Sequence, residues 1–305
     1  MQQVRFRYVS RSATFRWGRG LSGRNGGGNR KSCVTGPLGD PVEAEWQLSG
    51  GQAVIEMARA SGLVLLGDGL NDPVAASTYG TGELIAAAIE AGAKRVLVGL
   101  GGSATTDGGF GALRALYPLQ RLRGLDIRVA CDVRTRFVDA ARIFAPQKGA
   151  TPVQVELLTR RLERLSEVYL EDYGVDSRDL EGSGAAGGLA VVGAKLERGF
   201  DLVAEEVDLL RHLEGADLVV TGEGFVDAES FEGKVVGGVI GLAGEMGIPA
   251  LVVAGEVCDS DEVDRLAGRL NPSGVTVVSL VDRFGEERAL TDTRACIAEA
   301  VEGHL

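Results

Sequence analysis

Six side chains carry the groups that could do chemistry, all but Asp132 with glycine close by: Asp107, Asp132, Lys148, Glu223, Asp227 and Lys234. Asp107 sits in "TTDGG", after an apolar run and before another. A carboxylate beside exposed loop amides can hold a divalent cation, take a hydroxyl proton, or cap a helix. Asp132 follows the run "RVAC", where a strand's C-terminal end presents ligands in α/β sheets. Lys148, in "PQKGA", could clamp a phosphate or carboxylate, or be a solvated surface lysine. "LVVTGEGFVDAESFEGK" gathers Glu223, Asp227 and Lys234 after a strand, a combination that suits Mg²⁺ with phosphate. Together these residues favour phosphoryl transfer over hydride transfer.

Other chemistries are poorly provided for. There are two histidines, His212 and His304, too few for a multi-histidine metal site and badly placed for a Ser-His-Asp triad. "GLGGSA" (Gly99 to Ala104) matches a dinucleotide fingerprint, but no acidic residue ends a following strand about 20 residues on, since Asp126 precedes one. It is not a P-loop, lacking the GK[ST] ending. A nucleotide-dependent oxidoreductase is therefore a lesser alternative.

The elements that must position these groups follow from the apolar pattern. The 305-residue chain has 45% hydrophobic residues and 45 glycines, which cluster between apolar runs. Continuous runs at Leu63–Leu66, Arg95–Gly99, Ile127–Ala130, Asp217–Thr221, Ala250–Ala254 and Val275–Leu280 predict buried strands of parallel sheets. Helices are predicted between them. "GELIAAAIEAG" ends on Gly92, and a long helix opens with Thr151 as N-cap, Pro152 at N1 and Gln154 completing a capping box. "KVVGGVIGLAGEMG" and "DTRACIAEAVEG" supply two more. "GSGAAGGLA" (Gly182 to Ala190) is a further glycine loop entering a helix. The alternation gives an α/β fold with a boundary near residues 196–202.

Charge is uneven. Residues 1–32 hold eight Lys/Arg and no Asp/Glu, leaving residues 33–305 with 24 against 43, net −19. Such an acidic body argues against nucleic acid as partner. Residues 1–32 show no period and read as an atypical basic segment outside the fold. No apolar run is long enough to span a membrane, and no secretory h-region opens the chain, so a cytoplasmic location is expected, with no membrane partner. The four scattered cysteines are expected to be free thiols.

Seven phrases occur in one order: "VTGPLGDPVEAEW", "GTGELI", "GLGGSATTDGG", "RVACDV", "PQKGA", "GSGAAGG" and "VVTGEGFVDAESFEGK". In this the chain resembles the type I glycerate kinases of bacteria, over about residues 34–305. The resemblance implies ATP-dependent phosphorylation of D-glycerate to 2-phosphoglycerate or 3-phosphoglycerate, with Mg²⁺. It implies two α/β domains, one Rossmann-like and split between the chain ends, the other inserted. Here the inserted domain would span residues 33–198 and the Rossmann-like part residues 199–305. Carried onto this sequence, Asp132, Asp107 and Lys148 are the catalytic candidates. Gly101, Gly102, Ser103, Gly184, Gly187, Gly222, Gly224 and Lys234 are candidates to bind ATP, and Glu223 and Asp227 to hold Mg²⁺. A homo-oligomer is compatible with the family. PDSFKGS-like and DGGEGT-like motifs are absent, Tyr79 and Phe225 stand where arginine is frequent, and the connection from Leu116 to Leu125 is short. The missing motifs keep an inactive or truncated remnant open as the alternative.

Overall fold

The computed structural model describes residues 29–67, 71–131, 133–178, 182–184, 194–231 and 234–304. They fall into two compact units, residues 29–199 and 200–304. Both are α/β, as the pattern predicts.

The first unit is built on a six-stranded sheet: β1 (Asn29–Thr35), β2 (Pro41–Ser49), β3 (Gln52–Glu56), β4 (Arg95–Gly99), β5 (Asp126–Ala130) and β6 (Lys195–Glu197), in that spatial order. The first three form an antiparallel meander; β3 to β6 run parallel. In β2, Ala44 and Trp46 face the core while Glu43 and Glu45 face solvent, the two-residue period of a sheet with one wet face. In β4 the four residues after Arg95 are all buried, as in a strand covered on both sides.

Two expectations are corrected here. The fold does not begin at residue 33, because Asn29–Ser32 already pair with β2. The last basic residue of that segment, Lys31, lies opposite Glu45 and donates to Glu43 at 2.7 Å. The run Leu63–Leu66 is a 3₁₀ turn between Gly62 and Gly67, with Val64 77% exposed. Four apolar residues fit a turn as well as a strand, and β3 holds the sheet position beside β4. The apolar pattern does not predict β1, β2, β3 and β6.

Helices α1 (Tyr79–Glu90) and α2 (Phe110–Leu116) pack in the core of this sheet, and α3 (Pro152–Tyr173) packs on the segment around Phe137–Phe144. Gly92 follows α1 with φ of +91°, the left-handed stop expected from sequence. α1 and α2 approach at backbone distance, since a Cβ on Gly82 would lie 2.6 Å from the Ala112 carbonyl oxygen. α3 opens on the predicted capping box: the Thr151 hydroxyl accepts from the Gln154 amide, and Gln154 Oε1 accepts from the Thr151 amide. Ile55, Met57, Leu84, Val96 and Leu116 form the centre of one core. Phe137, Leu158, Leu162 and Tyr169 form a second beneath α3.

The second unit has three parallel strands, β7 (Val219–Val226), β8 (Ala250–Val257) and β9 (Val275–Ser279), with β8 in the middle. Helices α4 (Val235–Glu245), α5 (Ser260–Leu270) and α6 (Thr293–Glu302) accompany them. The first five residues of β8 are buried, whereas Val220 and Phe225 of β7 are 45% and 49% exposed. The expected loop at Gly222–Gly224 is instead the interior of β7, which pairs with β8 as far as Val226. Glycine at 222 serves strand contact: a Cβ there would lie 2.0 Å from the Val253 carbonyl oxygen.

Among the described residues no helix is long and apolar enough to cross a membrane, and Cys33, Cys131, Cys258 and Cys296 form no disulfide.

Candidate active site

The loop from β4 to α2 carries the sequence "LGGSATTDGG" (Leu100–Gly109). Helix α2 has its N-cap at Gly109, φ +74°. The amides that a loop-to-helix turn offers to an anion are here taken by the protein's own carboxylate. Asp107 Oδ1 accepts from the Gly109 amide at 3.1 Å, and Oδ2 accepts from the Gly111 amide at 3.1 Å. Oδ2 also accepts from the amide and hydroxyl of Thr78, each at 2.8 Å, and from the Ser77 hydroxyl at 3.4 Å. Asp107 thus caps α2 and ties it to the start of α1. Glycine at 111 is required by this packing, since a Cβ would lie 2.2 Å from Ser77 Oγ and 2.8 Å from Asp107 Oδ2.

The preceding residues are buried polar groups in local bonds. Ser103 Oγ donates to the Thr105 carbonyl, and Thr105 Oγ1 donates to the Ala76 carbonyl at 2.8 Å. The Asp107 amide donates back to Thr105 Oγ1 at 3.0 Å. On the far side, the Tyr169 hydroxyl of α3 donates to the Gly108 carbonyl at 2.9 Å, and burial pushes its pKa up.

Lys148 is brought onto this loop. It ends a 3₁₀ turn (Pro146–Lys148) closed by Gly149, φ +91°, and is 5% exposed. Its Nζ donates to the Thr105 carbonyl at 2.5 Å and lies 3.5 Å from Ser103 Oγ. Burial pushes the ammonium down to about 8, and the nearby Asp107 carboxylate opposes that shift. Asp107 offsets only part of that burial, so a bound anion would be favoured beside the ammonium.

Asn71 was not among the sequence candidates. Its Nδ2 donates to the carbonyls of Ala104 and Lys148, both at 2.9 Å, joining the two loops. Only its place before a proline-containing turn marks it in the sequence.

The remaining candidates are distributed as follows. Gly101 and Gly102 are exposed, and a Cβ on Gly101 would meet nothing within 4 Å. Gly184 packs on protein: its amide donates to the Thr135 carbonyl, and a Cβ would lie 2.6 Å from the Arg136 carbonyl oxygen. Asp132 and Gly187 lie outside the described residues.

In the second unit Gly222, Glu223 and Gly224 lie on β7 and Lys234 is the N-cap of α4. Lys234 is exposed and paired with Glu229 at 3.0 Å. Glu223 Oε1 is buried with no hydrogen-bond partner among the described residues. A carboxylate oxygen in that state suits a hard cation. Asp227 spends Oδ1 on the Ser230 amide at 3.1 Å and hydroxyl at 3.3 Å. No group of three or more His, Cys, Asp or Glu among the described residues could hold a metal. One or two carboxylates fit Mg²⁺ that arrives with substrate phosphates rather than in an all-protein cage.

Asp126, the residue a dinucleotide reading would examine, is committed to structure. It bonds Arg95, Arg128 and Lys195.

Comparison with known proteins places the chain in one family. The model of the glycerate kinase family matches residues 21–117 and 118–303. Glycerate 2-kinase of Escherichia coli K12 is 39% identical over 271 residues, covering 76% of this chain and 71% of that protein. Glycerate kinase of Bacillus subtilis 168 is 39% identical over 272 residues, with the same shares of each chain. The crystal structure of "putative glycerate kinase 2 from Salmonella typhimurium LT2" superimposes with a TM-score of 0.74 at 33% identity, covering 94% of this chain and 86% of that one. The chain belongs to the glycerate kinase family.

Proposed function

We propose that this chain is a glycerate kinase, transferring the γ-phosphoryl group of ATP to a hydroxyl of D-glycerate and forming 2-phosphoglycerate. The observation that carries the reading is Lys148, a buried ammonium bonded to the Thr105 carbonyl. It provides fixed positive charge for an anionic acceptor or for the transferred group, and fixed charge and position supply most of the catalysis in phosphoryl transfer. Asp132 takes the proton of the attacking hydroxyl as the new O–P bond forms and the bond to ADP breaks. Asp107, with five donors on its carboxylate, shapes the loop. Gly101, Gly102 and Gly224 leave room for phosphate oxygens to approach the backbone. Glu223 and Asp227 hold Mg²⁺, which when bound neutralises phosphate charge.

The test is ADP release by purified, folded protein with ATP, Mg²⁺ and D-glycerate, with the product identified by phosphorus NMR. A phosphomonoester at C2 is expected. Folded protein that releases no glycerate-dependent ADP would overturn the reading and leave the inactive remnant. A C3 ester would correct the product alone.

A further inference from the structure

Two polar atoms around the Ala104–Thr106 segment are buried without a hydrogen-bond partner among the described residues: Thr106 Oγ1 and Asn71 Oδ1. Thr106 is only 2% exposed. An unpaired buried hydroxyl is costly, and valine has the same shape without that cost. The orientation of Asn71 is fixed by its other end, because Nδ2 faces two carbonyls that can only accept. Its Oδ1 is therefore an acceptor with no donor among the described residues. The neighbouring carbonyl, that of Thr105, receives the Lys148 ammonium.

Three chemistries are thus gathered on three consecutive residues: a cation, a pure acceptor, and a hydroxyl that can donate or accept. A carboxylate answers the first and alcohol groups answer the other two. We propose that Thr106 and Asn71 determine specificity by hydrogen-bonding the hydroxyl groups of a short hydroxy acid whose carboxylate is held by Lys148. The proposal rests on the kinase reading in taking the acceptor substrate to occupy this loop. A site with buried polar atoms rejects analogues lacking the matching hydroxyl, because those atoms then stay unpaired.

The test compares the wild type, Thr106→Val and Thr106→Ser. For each, calorimetry without ATP measures binding of D-glycerate, of 3-hydroxypropionate (no C2 hydroxyl) and of lactate (no C3 hydroxyl), and a melt gives Tm. The wild type is expected to prefer glycerate to at least one analogue. Thr106→Val is expected to weaken glycerate by about 3- to 10-fold, the range for one neutral hydrogen bond. It should erase the preference over one analogue while Tm holds or rises, and Thr106→Ser should restore the preference. Asn71→Ala is expected to lower glycerate affinity and Tm together, since it also removes two loop bonds. A fall in Tm of Thr106→Val with glycerate binding and discrimination intact would give the hydroxyl a structural role and overturn the proposal. So would a wild type that binds no glycerate. ADP release separates the two readings: discrimination by Thr106 without turnover sinks only the kinase, and turnover with discrimination unchanged in Thr106→Val sinks only this proposal.

Discussion

The side chain of Asn71 donates to the main-chain carbonyl of Lys148 at 2.9 Å, across 77 residues of sequence. The height of the ammonium over the Ser103–Thr105 turn is therefore set from both ends. Its Nζ rests on Thr105, and its backbone hangs from Asn71.

Replacing Lys148 with methionine keeps the stem and deletes the charge. We expect kcat/KM for glycerate to fall by about 100-fold or more, the size of effect seen when a fixed charge-stabilising donor is lost. Tm should change little, because removing a desolvated charge offsets the lost bond to Thr105. Steady-state ADP release with a parallel melt checks both halves.

The pKa of Lys148 lies below its ordinary value, at about 8. Activity that needs the ammonium should decline as pH rises through about 8. Stability moves the other way. Between about 8 and the unfolded value of 10.5 the unfolded chain binds more protons, so unfolding free energy should rise over that window. The cost of burying the charge is fully present below it. Denaturant melts at several pH values, with Lys148→Met as the flat control, test the sign.

Asp107→Asn keeps size but turns an amide toward donors. Five donors lose a carboxylate, so a loss of stability of roughly 2–5 kcal/mol is expected from hydrogen bonds to a charged group. Urea unfolding measures it. A variant that retains wild-type stability but loses turnover would make Asp107 a participant in the chemistry.

Gly111 in the first turn of α2 and Gly101 in the loop before it should behave oppositely. Gly111→Ala drives a Cβ into Ser77 Oγ at 2.2 Å and the Tyr79 amide at 2.7 Å, and should cost about 2 kcal/mol or more or prevent folding. Gly101→Ala meets nothing within 4 Å and should leave stability within about 0.5 kcal/mol. If ATP phosphate approaches there, KM for ATP alone should rise.

Glu223→Gln removes the charge of a half-buried carboxylate whose Oε1 has no hydrogen-bond partner among the described residues. Stability should hold or increase, while the Mg²⁺ concentration for half-maximal ADP release should rise. An unchanged Mg²⁺ dependence would remove Glu223 from the metal site.

Continuous apolar runs made β4, β5, β8 and β9 legible, although only β4 beyond Arg95 and the first five residues of β8 are buried without interruption. The capping box at Thr151 and the stop at Gly92 were legible because they depend on local chemistry alone. The meander β1–β3 was not, because β1 is polar and its pairing is decided by β2. The glycines of β7 resembled a loop, since nothing local records that Val253 approaches Gly222. Likewise Lys148 could be named but not buried, and Asn71 could not be named. Their contacts join segments far apart in sequence, and their residue types are common on surfaces.

Thr105 explains how this site can change. Its hydroxyl holds Ala76, its amide and carbonyl hold Ser103, and its carbonyl also carries Lys148. These bonds tie Ala76, Ser103, Thr105 and Lys148 together, so a backbone adjustment at one of them would displace the others. New substrates would then be reached by exchanging terminal atoms on a stationary frame, and at residue 106, whose hydroxyl has no partner among the described residues, an exchange of equal volume breaks no hydrogen bond of that frame.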